Sequence, residues 1–206
     1  MKQIKVKSCW GPGVVCLTLV LSGCISTSIS PTPRFYMLQA INGDQSSKKI
    51  DIAPGMLIGI GPVKIPEYQD RPQIVTQRKE NTLKFAEFDR WGEPLDLGLA
   101  RLIREDLTVM LPGGKFTLYP WNPSTPVKYQ VAVEIVRLDS ELDRDMFLAV
   151  QWMVIDVKDL KTLIIKRSEF RAAVIPQDYS GLDKTLSTAC ASLSSQIAEA
   201  LAKLET

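Results

Sequence analysis

The residues best placed to do chemistry close the first apolar run: Leu21-Ser22-Gly23-Cys24. A bulky apolar residue, two small ones and a cysteine match the bacterial lipobox. The small residues let an extended chain enter a peptidase cleft, and the cysteine supplies the thiol that receives a diacylglyceryl group. Cleavage between Gly23 and Cys24 would leave Cys24 as the acylated first residue. Other chemistry is sparse. The chain has no histidine, which excludes Ser-His-Asp and Cys-His triads, His-ligated zinc and imidazole general-base catalysis. It has no GxSxG, P-loop, CxxC or HExxH. Gly59-Ile60-Gly61 lacks a third glycine and a following helix, so it does not support a dinucleotide site. Glu141, Asp143 and Asp145 form an acidic cluster, and paired carboxylates can hydrolyse glycosides. These fall in a predicted charged turn, where solvated side chains are expected, and their spacing does not fit a calcium loop. No catalytic residue, metal ligand set or dissociable cofactor is assigned. The only added group expected is the N-acyl and S-diacylglycerol lipid on Cys24.

The elements before Cys24 suit its modification. Lys2, Lys5 and Lys7 make a positive n-region, and residues 14–21 a short apolar h-region. A run of about eight to ten residues cannot cross a bilayer core that needs roughly twenty. Residues 1–23 therefore read as an export signal that is removed. Their removal takes away three lysines and no acid. The 25 basic and 23 acidic side chains of the whole chain become 22 and 23, a formal charge of about −1. The full-chain +2 is a property of the signal, and no basic patch argues for nucleic acid. Cys9 and Cys16 leave with the signal and Cys24 carries lipid. Cys190 then stands alone on the apolar side of a predicted helix, as small core filler.

Each buried CH₂ contributes roughly 0.8 kcal/mol, so a triacylated cysteine anchors permanently where one chain would not. Ile25 follows Cys24. An aspartate there is the usual inner-membrane retention signal in enteric-type bacteria, so its absence favours the outer membrane, facing the periplasm. Residues 24–33 (CISTSISPTP) are polar and proline-containing, a tether that reaches roughly 30 Å when extended. Residues 34–206 are expected to form one domain.

Within that domain the hydrophobic pattern predicts four strands, a helix, four strands and a helix. Strands are expected at 35–38, 56–65, 73–77, 82–85, 115–118, 128–138, 146–157 and 163–175. Gly59, Gly61 and Pro62 mark a bend or bulge in the second, and residues 78–81 the turn of a hairpin. Leu95, Leu99, Leu102, Ile103, Leu107 and Met110 recur at helical spacing, predicting a helix over 94–111 that opens at Pro94 and stops at Pro112-Gly113-Gly114. Leu182, Leu186, Cys190, Leu193, Ile197, Leu201 and Leu204 predict a second helix over 181–204, with Ser180 as its cap and Asp183 completing a capping box. The fold class is α+β: a two-layer sandwich of a mostly antiparallel sheet and two amphipathic helices. Residues 146–157 carry apolar side chains on both faces. One face must meet the helices. The other is expected to meet a second subunit, with Trp152 as its probe.

Several segments, in order behind the lipobox, carry a resemblance. They are Tyr36-Met37-Leu38, Ile58-Gly59-Ile60-Gly61-Pro62-Val63-Lys64-Ile65-Pro66-Glu67-Tyr68, Asp70-Arg71-Pro72-Gln73-Ile74-Val75-Thr76, Arg90-Trp91-Gly92-Glu93-Pro94-Leu95 and Pro120-Trp121. The ordered set resembles the ABC-type transport auxiliary lipoprotein family, typified by paraquat-inducible protein C. The resemblance implies a non-enzymatic component of an MCE-type lipid transport system. Such a lipoprotein would dock the periplasm-spanning MCE-family membrane protein at the outer membrane and support envelope integrity. It also implies a homo-oligomer, a ring being one form it could take. Tyr68, Arg71, Trp91 and Glu93 lie in the best-matching loops and are the candidate partner contacts. Against that stands a role in the fold: Trp91 covering the first helix, and Arg71 pairing with Glu93. The competing function is a lipoprotein that regulates a cell-wall synthase or an outer-membrane assembly complex.

Overall fold

Alternation with a period of two sets Tyr129, Val131, Val133 and Ile135 on one side of a strand. Met146, Leu148, Val150, Trp152 and Val154 share that side on the next strand. All are buried, and cross-strand register pairs Val131 with Val154, Val133 with Trp152 and Ile135 with Val150. This apolar wall is what the rest of the domain packs on. The computed structural model describes residues 31–40, 49–77 and 82–205. The signal, Gly23, Cys24, the tether as far as residue 30, loop residues 42–48 and the 78–81 turn lie outside the described residues.

The order of elements is β1 (Arg34–Tyr36), β2 (Leu57–Lys64), a 3-10 turn (Glu67–Gln69), β3 (Gln73–Gln77), β4 (Leu83–Trp91), α1 (Leu95–Met110), β5 (Lys115–Leu118), β6 (Tyr129–Ser140), β7 (Asp145–Asp156), β8 (Lys161–Ala173) and α2 (Tyr179–Lys203). A five-stranded sheet has the order β5-β2-β6-β7-β8, and a three-stranded sheet the order β1-β4-β3. The long ladders, β6 with β7 and β7 with β8, are antiparallel. The shorter pairings of β2 with β5 and β6, and of β1 with β4, are parallel. The two helices pack on each other, α1 against β2 and β5, and α2 against β7 and β8. The fold is the expected α+β two-layer arrangement, with its core between helices and sheet.

The bulge expected in β2 falls between Ile60 and Val63, where Gly61 adopts φ +106°. Gly59 has a different reason to lack a side chain. The Trp121 ring lies over it, and a Cβ there would stand 2.4 Å from two ring carbons. The proline-rich loop after β5 thus folds back as a lid on β2.

Three expectations change. First, β4 runs on to Trp91. Its second half gains a parallel partner in β1 that local alternation does not reveal. Second, α2 starts at Tyr179, and its cap is Asp178, whose carboxylate accepts from the Gly181 N–H at 2.8 Å. The Ser180 hydroxyl donates to the same carboxylate instead of capping. Gly181 is required because a Cβ there would lie 1.8 Å from the Pro176 carbonyl oxygen. Third, Trp152 is fully buried on the helix side. Its indole N–H donates to Ser168 Oγ at 3.1 Å, and Ser168 donates to Gln196 of α2 at 2.5 Å. A Trp152→Asp change would break the core and could not report on a subunit contact.

Asp183 completes no capping box. Its Oδ1 is buried without a hydrogen-bond partner, and burial pushes its pKa up from 3.8 to about 6, against the opposing pull of Lys184. A carboxyl group with a raised folded pKa binds protons more tightly when folded. Stability from this group is therefore highest below about pH 4 and falls as pH rises through about 6. Asp183→Asn is expected to remove that fall. The variant should match the parent at pH 4 and exceed it above pH 6 by on the order of 1 kcal/mol, partial solvent screening included. Urea unfolding of both proteins across this range reads the difference.

Candidate docking surface

Register divides the three-stranded sheet into two unlike faces. Tyr36 pairs with Trp91 and Arg34 with Asp89, and Ile74, Ala86 and Trp91 join the main core. On the core-facing side Asp89, buried, accepts from Arg34 at 2.8 and 3.0 Å and from the Tyr36 hydroxyl at 2.8 Å. Burial first, then Asp89, pushes the Tyr36 phenol up to about 12. On the other side, Phe35 pairs with Arg90, Gln73 with Arg90, Val75 with Phe85 and Gln77 with Leu83. The register shift between Gln73 and Val75 is what brings Phe85 and Arg90 to the same face.

One end of this sheet gathers the segments that carried the family resemblance. The Trp91 N–H donates to the Pro72 carbonyl at 2.8 Å and the Gly92 N–H to the Tyr36 carbonyl at 2.7 Å. Tyr68 sits half-buried on the 3-10 turn, its hydroxyl 3.5 Å from both backbone polar atoms of Leu138. Burial raises its pKa. Gln69, buried beside it, donates to the Leu138 carbonyl at 3.0 Å and pins the turn to β6. The Arg71 guanidinium carbon lies 4.4 Å from the Phe85 ring centroid, a cation–π stack. Trp91 is only 6% exposed and packs with the core. Glu93 does not pair with Arg71. It accepts from Arg101 at 2.9 and 2.7 Å, and Arg101 also donates to the Leu38 carbonyl at 2.9 Å and to Glu105 at 3.2 Å. Trp91 and Glu93 therefore build the loop, while Tyr68 and Arg71 keep accessible surface. Arg101 was missed because its position on α1 reads as solvated helix surface. Its signal was the glutamate eight residues before it.

Two of the three acids of the cluster are tied up in ion pairs. Asp145 pairs with Arg171 at 2.9 Å and Glu141 with Arg144 at 3.5 Å. Glu141, Asp145 and Arg171, with Gln77, Arg137, Asp139 and Phe147, line a polar cleft of about 90 Å³, small beside the roughly 300–1,000 Å³ of a ligand pocket. Among the described residues no group of three or more Cys, Asp or Glu could hold a metal ion, and no helix is long and apolar enough to cross a membrane. Cys190 is buried and free, and burial pushes its thiol pKa up, away from reactivity.

The model of the ABC-type transport auxiliary lipoprotein component matches residues 36–198, and the chain belongs to that family. No curated protein sequence matches it. Among solved structures it is similar to an uncharacterized protein at 18% identity, covering 83% of this chain and 99% of that one, TM-score 0.67. It is also similar to protein XCC0632 from Xanthomonas campestris at 9% identity, covering 80% and 92%, TM-score 0.61. These two likenesses bear on the fold. A weaker one is to the PelC dodecamer from Paraburkholderia phytofirmans, at 12% identity, covering 77% and 95%, TM-score 0.46.

Arg101 holds α1, the Glu93 loop and the chain after β1 together. Arg101→Met keeps the aliphatic stem but strands Glu93 and the Leu38 carbonyl. It is expected to cost about 1–3 kcal/mol in urea unfolding, whereas Arg104→Met, one residue pair removed on the surface, should stay within about 0.5 kcal/mol.

Proposed function

We propose that this chain is a non-enzymatic outer-membrane lipoprotein of an MCE-type intermembrane lipid transport system. It docks the periplasm-spanning MCE protein at the outer membrane and so supports envelope integrity. The observation that carries this reading is family membership across residues 36–198 behind a lipobox at Leu21–Cys24. Residues 1–23 act as the signal, Cys24 carries the lipid, residues 25–33 are the tether and residues 34–206 the docking domain. The proposed protein contact is Tyr68 with the turn around it, its geometry fixed by Gln69, Trp91 and Glu93.

The domain works as a homo-oligomer through the outer face of the five-stranded sheet. There Met153 pairs across strands with Ile165, which is 63% exposed, and Ile155 lies two residues on. Tyr119, half-exposed, stacks edge-on with Trp121 at 5.6 Å over β2. Apolar surface of this extent marks interfaces.

The test is affinity capture of the full-length lipoprotein from detergent-solubilised envelopes. An MCE-family protein should be recovered, and Tyr68→Ala should lower its yield. Recovery of a cell-wall synthase or an assembly factor without an MCE protein would overturn the docking role. In the same preparation Ile165→Asp should reduce the mass of the assembly by light scattering without changing the far-UV spectrum.

A further inference from the structure

The outward face of the three-stranded sheet carries arginines without a carboxylate partner. Nine arginines lie among the described residues, and seven reach a carboxylate within 3.5 Å. The other two, Arg71 and Arg90, reach none, and in each the Nε is buried without an acceptor. Both serve this one face, Arg90 by its register with Gln73 and Phe35, Arg71 by its stack on Phe85. Around them the sheet exposes large apolar side chains: Phe35 at 65%, Phe85 at 46% and Leu83 at 38%.

We infer that this face lies on an anionic phospholipid surface, that of the leaflet holding the chain's own lipid anchor. The inference rests on the lipoprotein reading. Three observations select lipid as the occupant. Guanidinium groups without carboxylates call for an anion, and their planar fork suits phosphate oxygens. Aromatic and aliphatic side chains mixed with arginine match the interfacial zone, where apolar groups enter the acyl boundary and charged heads stay at the phosphates. Finally, Phe35 belongs to β1, which starts at Arg34, ten residues after Cys24. An extended segment of that length spans no more than about 35 Å, so the anchor holds this sheet near the bilayer. Arg71 is thereby assigned to lipid rather than to the protein partner.

The test uses the full-length lipoprotein reconstituted in phosphatidylethanolamine vesicles, with or without phosphatidylglycerol, containing brominated acyl chains. A fluorophore is placed through Gln73→Cys on the face, or through Thr188→Cys on the exposed side of α2. Cys190, being buried, does not label. Quenching is expected at position 73 and not at 188. It should weaken without phosphatidylglycerol, at high salt, and in Arg71→Gln/Arg90→Gln. Each guanidinium should shift the face-on population about fivefold, and Arg71→Lys/Arg90→Lys should retain most of it. Vesicle flotation without quenching at 73 overturns the lipid contact and leaves the anchor standing. Failure to float overturns the anchor, and the contact with it. A blue shift at 73 that follows protein concentration rather than lipid gives the face to a second copy and overturns the proposal.

Discussion

A carboxylate with no access to solvent stands at the centre of the helix layer. Asp106 of α1 is 0% exposed and accepts a hydrogen bond from Ser194 of α2 at 3.1 Å, Ser194 being equally buried. Asp106 also contributes, after burial, to the raised pKa of Cys190 one turn earlier on α2. A buried carboxylate deprived of its donors costs several kcal/mol. The buried Ser194–Asp106 contact therefore favours the register in which the two helices lie. That register sets where the N-terminal end of α1 falls. There Arg101 gathers Glu93 and the Leu38 carbonyl, and the ends of β1 and β4 meet beside them. The loop end of the domain is thus positioned from the core outward, through a polar contact rather than a larger apolar one.

Much of this was legible because the patterns are local. The α1 stripe from Leu95 to Met110 and the α2 stripe from Leu182 to Leu201 are buried as their spacing requires, and β6, β7 and β8 follow from alternation between charged turns. What was not legible is pairing at a distance. Nothing in Ala86-Glu87-Phe88-Asp89-Arg90-Trp91 says that β1, some fifty residues earlier, will lie parallel to it. Trp152 was ambiguous because β7 is apolar on both faces. Its side is decided by Ser168 and Gln196, a strand and a helix away. Asp106 had a readable signal, an acid at a position where the stripe of Leu102, Ile103 and Met110 calls for an apolar residue. At the candidate site, sequence found the right segments but not the division of labour within them. Burial of Trp91 and the Glu93–Arg101 pair are tertiary facts.

The two open sheet faces differ in how their charges are settled. On the five-stranded sheet, Arg137 pairs with Asp139, Arg167 with Glu169 and Arg171 with Asp145. Arg137 and Arg171 flank the Phe147 ring at 5.3 Å each. These charges are already neutralised in place, and exposed pairs of this kind add little stability. They leave a surface without net attraction for ions, suited to water or to a protein of matched shape. β8 closes this sheet as an unpaired edge thirteen residues long. Lys161, Lys166, Arg167 and Arg171 along it oppose indiscriminate strand addition.

The three-stranded face makes the opposite choice. Of its two carboxylates, Asp89 is turned inward to Arg34 and Tyr36 and Glu87 is exposed, while the Nε of Arg71 and that of Arg90 are buried without an acceptor. The consequence is a face whose apolar side chains and guanidinium groups suit a partner that is apolar in bulk and anionic at its surface. A lipid leaflet has both properties at the depth the side chains reach. With the proposed acyl group on Cys24, ten residues before β1 begins, such a leaflet lies within reach of this face.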